Sequence, residues 1–130
     1  MATLHQEARI EASADHVWDA VRDVSALHTR LVPGFVIDTR MEGETRVVTF
    51  GNGTIVREPI LSIDDARRRL AWTAVGGTTT HYNAVMLVIP DAGGCIVRWT
   101  SDLLPHALAP TIAAIQRRGL ATLKKTLESA

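Results

Sequence analysis

A few side chains of this sequence could do chemistry, and three of them lie in strand-like runs. Arg46, Glu58 and Tyr82 occur among residues rich in valine, isoleucine, threonine and tryptophan. A charge that such a run turns toward an apolar interior must pair with an opposite charge or a polar ligand group, because burying it alone is costly. A half-buried phenol also seeks a hydrogen-bond partner. These residues are therefore candidates for ligand binding or for proton transfer.

The histidines form no recognisable metal or catalytic motif. They are His5, His16, His28, His81 and His106. None has metal-ligand spacing or falls in an HExxH frame. His81 and His106 could lie near a pocket entrance. His81 joins Glu58 and Tyr82 as a catalytic candidate. The competing interpretation is that both histidines are solvated and have no role in a site. We predict no metal and no cofactor.

Other signatures of chemistry are incomplete. Gly51-Asn52-Gly53 lacks the rest of a dinucleotide fingerprint or a Walker loop and indicates a hairpin turn. The sequence contains no Gly-x-Ser-x-Gly elbow, and the single Cys95 can form no internal disulfide and has no evident histidine partner. The run 67–69 of three arginines follows Asp64-Asp65, which is typical of a self-neutralising hairpin tip rather than a nucleic-acid patch.

Composition predicts an ordinary globular protein. Of the 130 residues, 46% are hydrophobic and 22% are charged, and fourteen basic residues balance fourteen acidic ones. No net field would therefore attract nucleic acid or an anionic membrane. The N-terminus lacks a signal peptide's apolar stretch, and no apolar run approaches the roughly 20 residues that span a bilayer. We expect one domain over 1–130, cytoplasmic, monomeric or homodimeric, without nucleic-acid partner or integral membrane association.

The pattern of apolar residues predicts the elements that position these side chains. Alternation over 4–11 indicates a strand, and Ser13 offers an N-cap for a helix over 14–23, followed by a brief helical turn over 25–30. Turn signals then separate strand-like runs near 35–41, 45–50, 54–62, 69–75, 80–89 and 95–102.

The last segment changes to helical periodicity. Pro110 suits the first turn of a helix. Apolar or small residues then recur at steps of three or four: Ile112, Ile115, Gly119, Leu123 and Leu127. This stripe must be buried, and the concave face of the sheet is the only large apolar surface available. A helix laid across a curved sheet can leave a cavity, and Gly119 makes room there for a ligand or a bulky side chain.

The order of elements resembles the helix-grip superfamily, often called SRPBCC proteins, which includes birch-pollen-type allergens, START lipid carriers and polyketide cyclases. Local strings strengthen the resemblance: ADHVWDAVRD at 14–23, GTIVRE at 53–58, IDD at 63–65 with RLAW at 69–72, GG at 76–77 through YNA at 82–84, and WTSD at 99–102 before Pro105. They are similar to the bacterial polyketide cyclase/dehydrase-like branch and, more distantly, to plant abscisic-acid receptors. The resemblance implies an α+β helix-grip fold: a seven-stranded curved antiparallel sheet around a long C-terminal helix, with two short helices after strand 1.

The resemblance also implies which side chains contact a ligand. They are Arg46, Val48, Phe50, Val56, Glu58, Trp72, Ala74, Tyr82, Ala84, Met86, Val97 and Trp99 from the sheet, with Ile112, Ile115 and Gly119 from the helix. Alternation independently supports the last strand, whereas the run 84–89 is apolar on both faces. The receptors have a long gate loop where this sequence has only Gly51-Asn52-Gly53. They also have a lysine that binds the hormone's carboxylate, and the corresponding stretch 31–34 contains no lysine. Abscisic acid is therefore not the expected ligand.

Three functions remain open. The first is a carrier or sensor that binds a small hydrophobic ligand such as a lipid, an aromatic polyketide or an isoprenoid-like metabolite. The second is an enzyme resembling polyketide cyclases or dehydratases, in which Glu58, Arg46, Tyr82 or a histidine polarises a carbonyl and moves a proton. The third is a domain with a largely filled cavity that acts through its surface or as a dimer. Structural roles also stay open for the individual side chains: Arg46 and Glu58 form a salt bridge that closes the narrow end of the cavity, and Tyr82, Trp72 and Trp99 only pack.

Overall fold

The computed structural model describes residues 1–129, which form one antiparallel sheet and two principal helices. Strand β1 (Ala2–Ile10) leads into helix α1 (Ala14–Arg22) and a single π-helical turn (Leu27–Leu31). Six strands follow: β2 (Val36–Glu42), β3 (Thr45–Phe50), β4 (Ile55–Asp64), β5 (Arg69–Thr73), β6 (His81–Asp91) and β7 (Gly94–Leu104). A 3₁₀ turn (His106–Leu108) then joins helix α2 (Ala109–Glu128).

The seven strands form a single antiparallel sheet. Their order is β1-β7-β6-β5-β4-β3-β2, so strands β2 to β7 form a meander and β1 pairs with β7. Register shifts occur between Val36 and Asp38 and between Ile60 and Ser62, and such bulges bend a sheet. The sheet and its C-terminal helix confirm the predicted α+β helix-grip fold. The predicted turn over 25–30 is a π-helical turn one to two residues further along.

Helix α1 closes one end of the sheet. Its N-cap is Ser13, whose hydroxyl oxygen accepts a hydrogen bond from the His16 N–H at 3.1 Å. The buried face of the helix includes Val17, Trp18 and Val21, which join the hydrophobic core. Because this end is filled by side chains, a cavity can form only toward the other end.

Helix α2 buries a slightly different stripe from the predicted one. Its buried residues are Ala113, Gln116, Gly119, Leu120, Leu123 and Leu127, whereas Ile112 and Ile115 are half-buried. The C-terminal leucines enter the core, while the first three turns lie over a less tightly filled part of the sheet. No helix of the described residues is long and apolar enough to cross a membrane.

A polar cluster ties helix α1 to the β4–β5 turn. The indole N–H of Trp18 and the Nε of Arg22 donate to the same oxygen of Asp65, at 2.9 and 2.7 Å. The bond from Arg22, followed by that from Trp18, lowers the pKa of the Asp65 carboxyl below its ordinary value of 3.8. The ionised carboxylate therefore stabilises the fold above that pH, and this stabilisation is lost as the pH falls through the lowered folded-state pKa.

Replacing Asp65 with asparagine removes this contribution. We expect Asp65→Asn to lower the melting temperature by a few degrees near neutral pH and to weaken the decline of stability below pH 4. Thermal unfolding across a pH series measures both effects. Asp38→Asn, at an exposed position of β2, is the matched control and should leave the melting temperature unchanged. Equal melting temperatures for wild type and Asp65→Asn would contradict the assignment.

Candidate functional site

A cavity of about 530 Å³ lies between the concave face of the sheet and the N-terminal half of helix α2. Side chains of strands β3 to β7 form its walls, and most of them are apolar. Exposed residues at Gly51-Asn52, Thr54, 76–78 and Thr111 surround its open side. The volume falls within the range typical of small-molecule sites.

All but two of the residues predicted to contact a ligand line this cavity. They are Arg46, Val48, Phe50, Val56, Glu58, Trp72, Ala74, Tyr82, Met86, Trp99, Ile112, Ile115 and Gly119. The faces implied by the family resemblance therefore match the cavity wall at these positions, including Tyr82 and Met86 on β6, where the alternation of the run 84–89 alone does not choose a face.

Ala84 and Val97 are the two exceptions. Both are fully buried and face inward, but neither lines the cavity. Ala84 ends in a single methyl group between the longer side chains of Tyr82 and Met86. Val97 pairs with Val88 beyond the cavity, at the end of the sheet that helix α1 fills. The predicted face is right for both residues, and the predicted ligand contact is not supported.

The histidines of interest lie outside the cavity. His81 is exposed at the start of β6, and its Nε2 lies 2.7 Å from the amide oxygen of Asn83. Alternation explains the placement, because Tyr82 faces inward and its neighbour must then face outward. His106 is exposed in the 3₁₀ turn. Neither histidine is among the residues that line the cavity.

Arg46 and Glu58 form a buried ion pair in the cavity wall. They are direct cross-strand partners on β3 and β4. The Nε and Nη2 of Arg46 donate to the same carboxylate oxygen, Oε1, at 2.8 and 2.7 Å. Their side chains are only 3% and 10% exposed. The guanidinium carbon also lies 5.5 Å from the ring centre of Trp72, a cation–π distance. The pair is thus internally neutral, and its cation is also held by an aromatic face.

Aromatic side chains pack around this pair and explain the glycine of helix α2. The ring centroids of Trp72 and Trp99 are 6.0 Å apart, and those of Phe35 and Phe50 are 5.6 Å apart in an edge-to-face arrangement. A Cβ on Gly119 would lie 3.1 Å from the ring of Phe35 and 3.4 Å from that of Trp99. The room at Gly119 therefore accommodates these two rings. Sequence reasoning missed Phe35, because it follows the Pro33-Gly34 turn at the edge of a predicted strand.

A second polar group, missed from the sequence, projects from helix α2. Gln116 is 1% exposed, and its Nε2 donates to the Tyr82 hydroxyl at 3.0 Å and to the Ser101 hydroxyl at 2.8 Å. Its spacing indicates its position, since Gln116 lies four residues after Ile112 and three before Gly119 and therefore on the same face of the helix. A stripe defined by apolar residues alone excludes it.

Burial keeps the Tyr82 hydroxyl neutral over a wider pH range than usual. Removal from water raises the pKa of Tyr82 to about 12, a rise that the hydrogen bond from Gln116 opposes and the nearby Glu58 increases. The phenol is protonated at neutral pH, as an ordinary tyrosine is, and the raised pKa makes it a weaker acid. Because Gln116 donates to its oxygen, the phenolic O–H is free to donate to another acceptor.

Unpartnered polar atoms cluster in the cavity wall. Within residues 1–129, the buried side-chain atoms without a hydrogen-bond partner are Arg46 Nη1, Trp72 Nε1, Trp99 Nε1 and Gln116 Oε1. All four belong to residues that line the cavity. Buried polar atoms without partners are uncommon in folded proteins. This concentration distinguishes the cavity wall from the rest of the interior.

Comparison with solved structures shows how widely the scaffold is used. An uncharacterized protein from Bacillus thuringiensis superposes with a TM-score of 0.87 at 16% identity, over 97% of this chain and 98% of the other. The di-domain ARO/CYC BexL, from the BE-7585A biosynthetic pathway, gives 0.81 at 21% identity, over 98% and 47%. Norcoclaurine synthase from Thalictrum flavum, in complex with dopamine and hydroxybenzaldehyde, gives 0.74 at 20% identity, over 98% and 84%. At these identities the likeness shows the shared fold.

Sequence comparison shows the family. No curated protein matches the chain. The family model described as "Polyketide cyclase / dehydrase and lipid transport" matches residues 1–128. The chain therefore belongs to the polyketide cyclase/dehydrase and lipid transport family, within the SRPBCC superfamily.

Proposed function

We propose that the protein is a carrier or sensor that binds a small, largely apolar molecule in the cavity. The observation that carries this proposal is an open cavity of about 530 Å³ whose wall is largely apolar but contains a buried ion pair and a hydrogen-bonded phenol. These polar groups can orient the polar end of a bound molecule. Its apolar body would cover surface that now faces an open space.

The walls supply affinity and the polar groups supply orientation. Side chains such as Val48, Phe50, Met86 and Ile115 offer apolar surface, and burying such surface contributes roughly 25 cal/mol per Å². The Arg46–Glu58 pair and the Tyr82–Gln116 pair are the polar groups among them. The open volume argues against the hypothesis of a filled core with a purely surface function.

An enzyme is the second candidate function, and a specific pair of residues favours it. Tyr82 is a protonated donor that could polarise a carbonyl, and Glu58 could accept a proton from the carbon beside it. A donor and a base of this kind could serve a cyclase- or dehydratase-like reaction. The ion pair with Arg46 counts against it, because protonation of Glu58 at either oxygen would leave the buried Arg46 without its counter-charge. The carrier hypothesis requires no such loss.

Filling the cavity should prevent ligand binding without unfolding the protein. Ile115 lines the cavity at a half-buried position, so Ile115→Trp adds bulk where the helix can tolerate it. Native mass spectrometry of protein purified from its own host should show a bound small molecule in wild type and at least about tenfold lower occupancy in Ile115→Trp. Ala121→Trp, on the exposed face of the same helix, should retain it. Equal occupancy in all three proteins would rule out this cavity as the site.

The carrier and the enzyme differ in what happens to the bound molecule. We expect the co-purified molecule to keep its mass during prolonged incubation with the protein, and Glu58→Gln to change its affinity only. Mass spectrometry of the extracted molecule measures both. A new product that forms with wild type and is lost with Glu58→Gln, while binding persists, would instead establish the enzyme.

Tyr82 is the only tyrosine, so its ionisation can be measured directly. Because its pKa rises from 10.0 to about 12 on folding, its neutral form contributes stability below pH 10 that is lost as the pH approaches 12. Tyrosinate absorbance should therefore appear near pH 12 in the native protein, or together with unfolding, and near pH 10 in denaturant. Circular dichroism at the same pH values reports the fold. Tyrosinate near pH 10 in a fully folded protein would contradict the buried hydrogen-bonded phenol.

A further inference from the structure

We propose that the cavity selects neutral ligands bearing a carbonyl or hydroxyl group and rejects carboxylates of the same skeleton. This inference rests on the proposed function, because it concerns what the cavity binds. It follows from the way the charge of Arg46 is already neutralised inside the wall. It is tested separately from binding itself, by comparing two ligands that differ only in charge.

The buried charges in the cavity wall sum to zero. Arg46 and Glu58 are paired there, and Arg118 is the remaining charged residue among those that line the cavity. A carboxylate that reached Arg46 would lose its hydration without finding an unopposed cation. It would also approach the carboxylate of Glu58 in a medium that screens repulsion poorly. A neutral carbonyl suffers neither effect.

The cavity wall offers a neutral hydrogen-bonding group in place of an unopposed charge. Tyr82 lines the cavity, and its hydroxyl accepts from Gln116 while keeping its own O–H. A ligand carbonyl can accept from this O–H, and a ligand hydroxyl can exchange hydrogen bonds with it. The paired Arg46 adds no unopposed positive charge that would hold a carboxylate there. The wall therefore matches a neutral ketone, aldehyde, ester or hydroxyl group better than an anion.

Arg118 does not supply the missing positive charge. It is exposed at the outer part of helix α2, and no ion pair within residues 1–129 includes it. Water and salt screen an exposed charge at this position. It could hold a carboxylate at the mouth of the cavity, and this alternative has its own variant in the test.

The experiment measures binding of methyl naphthyl ketone and of the naphthoate anion with the same ring position, by calorimetry at neutral pH. The methyl group and the anionic oxygen have similar sizes, so the pair differs mainly in charge. We expect wild type to bind the ketone at least about tenfold more tightly than naphthoate. Equal affinity, or tighter binding of naphthoate, would overturn the inference. Absence of binding for both probes would count against the proposed function itself.

Substitutions identify the origin of the preference. Glu58→Gln leaves the charge of Arg46 unopposed and should shift the affinity ratio at least about tenfold toward naphthoate. Arg117→Gln, an exposed neighbour outside the cavity, is the control and should preserve the ratio. A ratio that moves in Arg118→Gln but not in Glu58→Gln would place the selectivity at the mouth and contradict the inference.

A second variant keeps the test valid if Glu58→Gln does not fold. The double variant Arg46→Gln/Glu58→Gln removes both charges together and avoids leaving one buried alone. It should keep the preference for the ketone, because its cavity remains neutral. Tighter binding of naphthoate by a folded double variant would show that net charge in the wall does not govern selection.

Discussion

The buried Arg46–Glu58 ion pair is the constraint around which the candidate site is arranged. The two residues are opposed on β3 and β4, so their pairing requires the observed register of these strands. Removing one partner from such a pair costs about 3–5 kcal/mol, because the other charge remains buried. Trp72 covers the guanidinium, and Trp99 packs on Trp72. The pair thus gives the cavity wall a polar region without net charge.

The other physical constraint is the unequal filling of the space between sheet and helix. At one end, helix α1 and the C-terminal leucines of α2 complete a close-packed core. At the other end, the first turns of α2 lie above open volume, and Gly119 lets the rings of Phe35 and Trp99 approach the helix. One sheet therefore carries a filled core and a cavity side by side.

Much of this arrangement could be predicted from the sequence, and the errors have identifiable causes. Turn signals and alternation predict the strands, and the family resemblance implies their inward faces, which the two-residue side-chain period supports independently for β7. Neither source carries information on depth along a strand, which is why Val97 is expected in the cavity but lies in the core. Gln116 was missed because an apolar stripe omits a polar residue whose partners, Tyr82 and Ser101, come from distant strands. Such partners appear only after folding.

A crystal structure with methyl naphthyl ketone bound would test the central claim most directly. The account predicts that the ring occupies the apolar part of the cavity and that the carbonyl oxygen lies about 3 Å from the Tyr82 hydroxyl, beside the Arg46–Glu58 pair. A ketone whose carbonyl points to the mouth, among Gly51, Asn52 and Thr54, would contradict the account. A crystal structure determined at a saturating ketone concentration, with the cavity still empty, would also contradict the account.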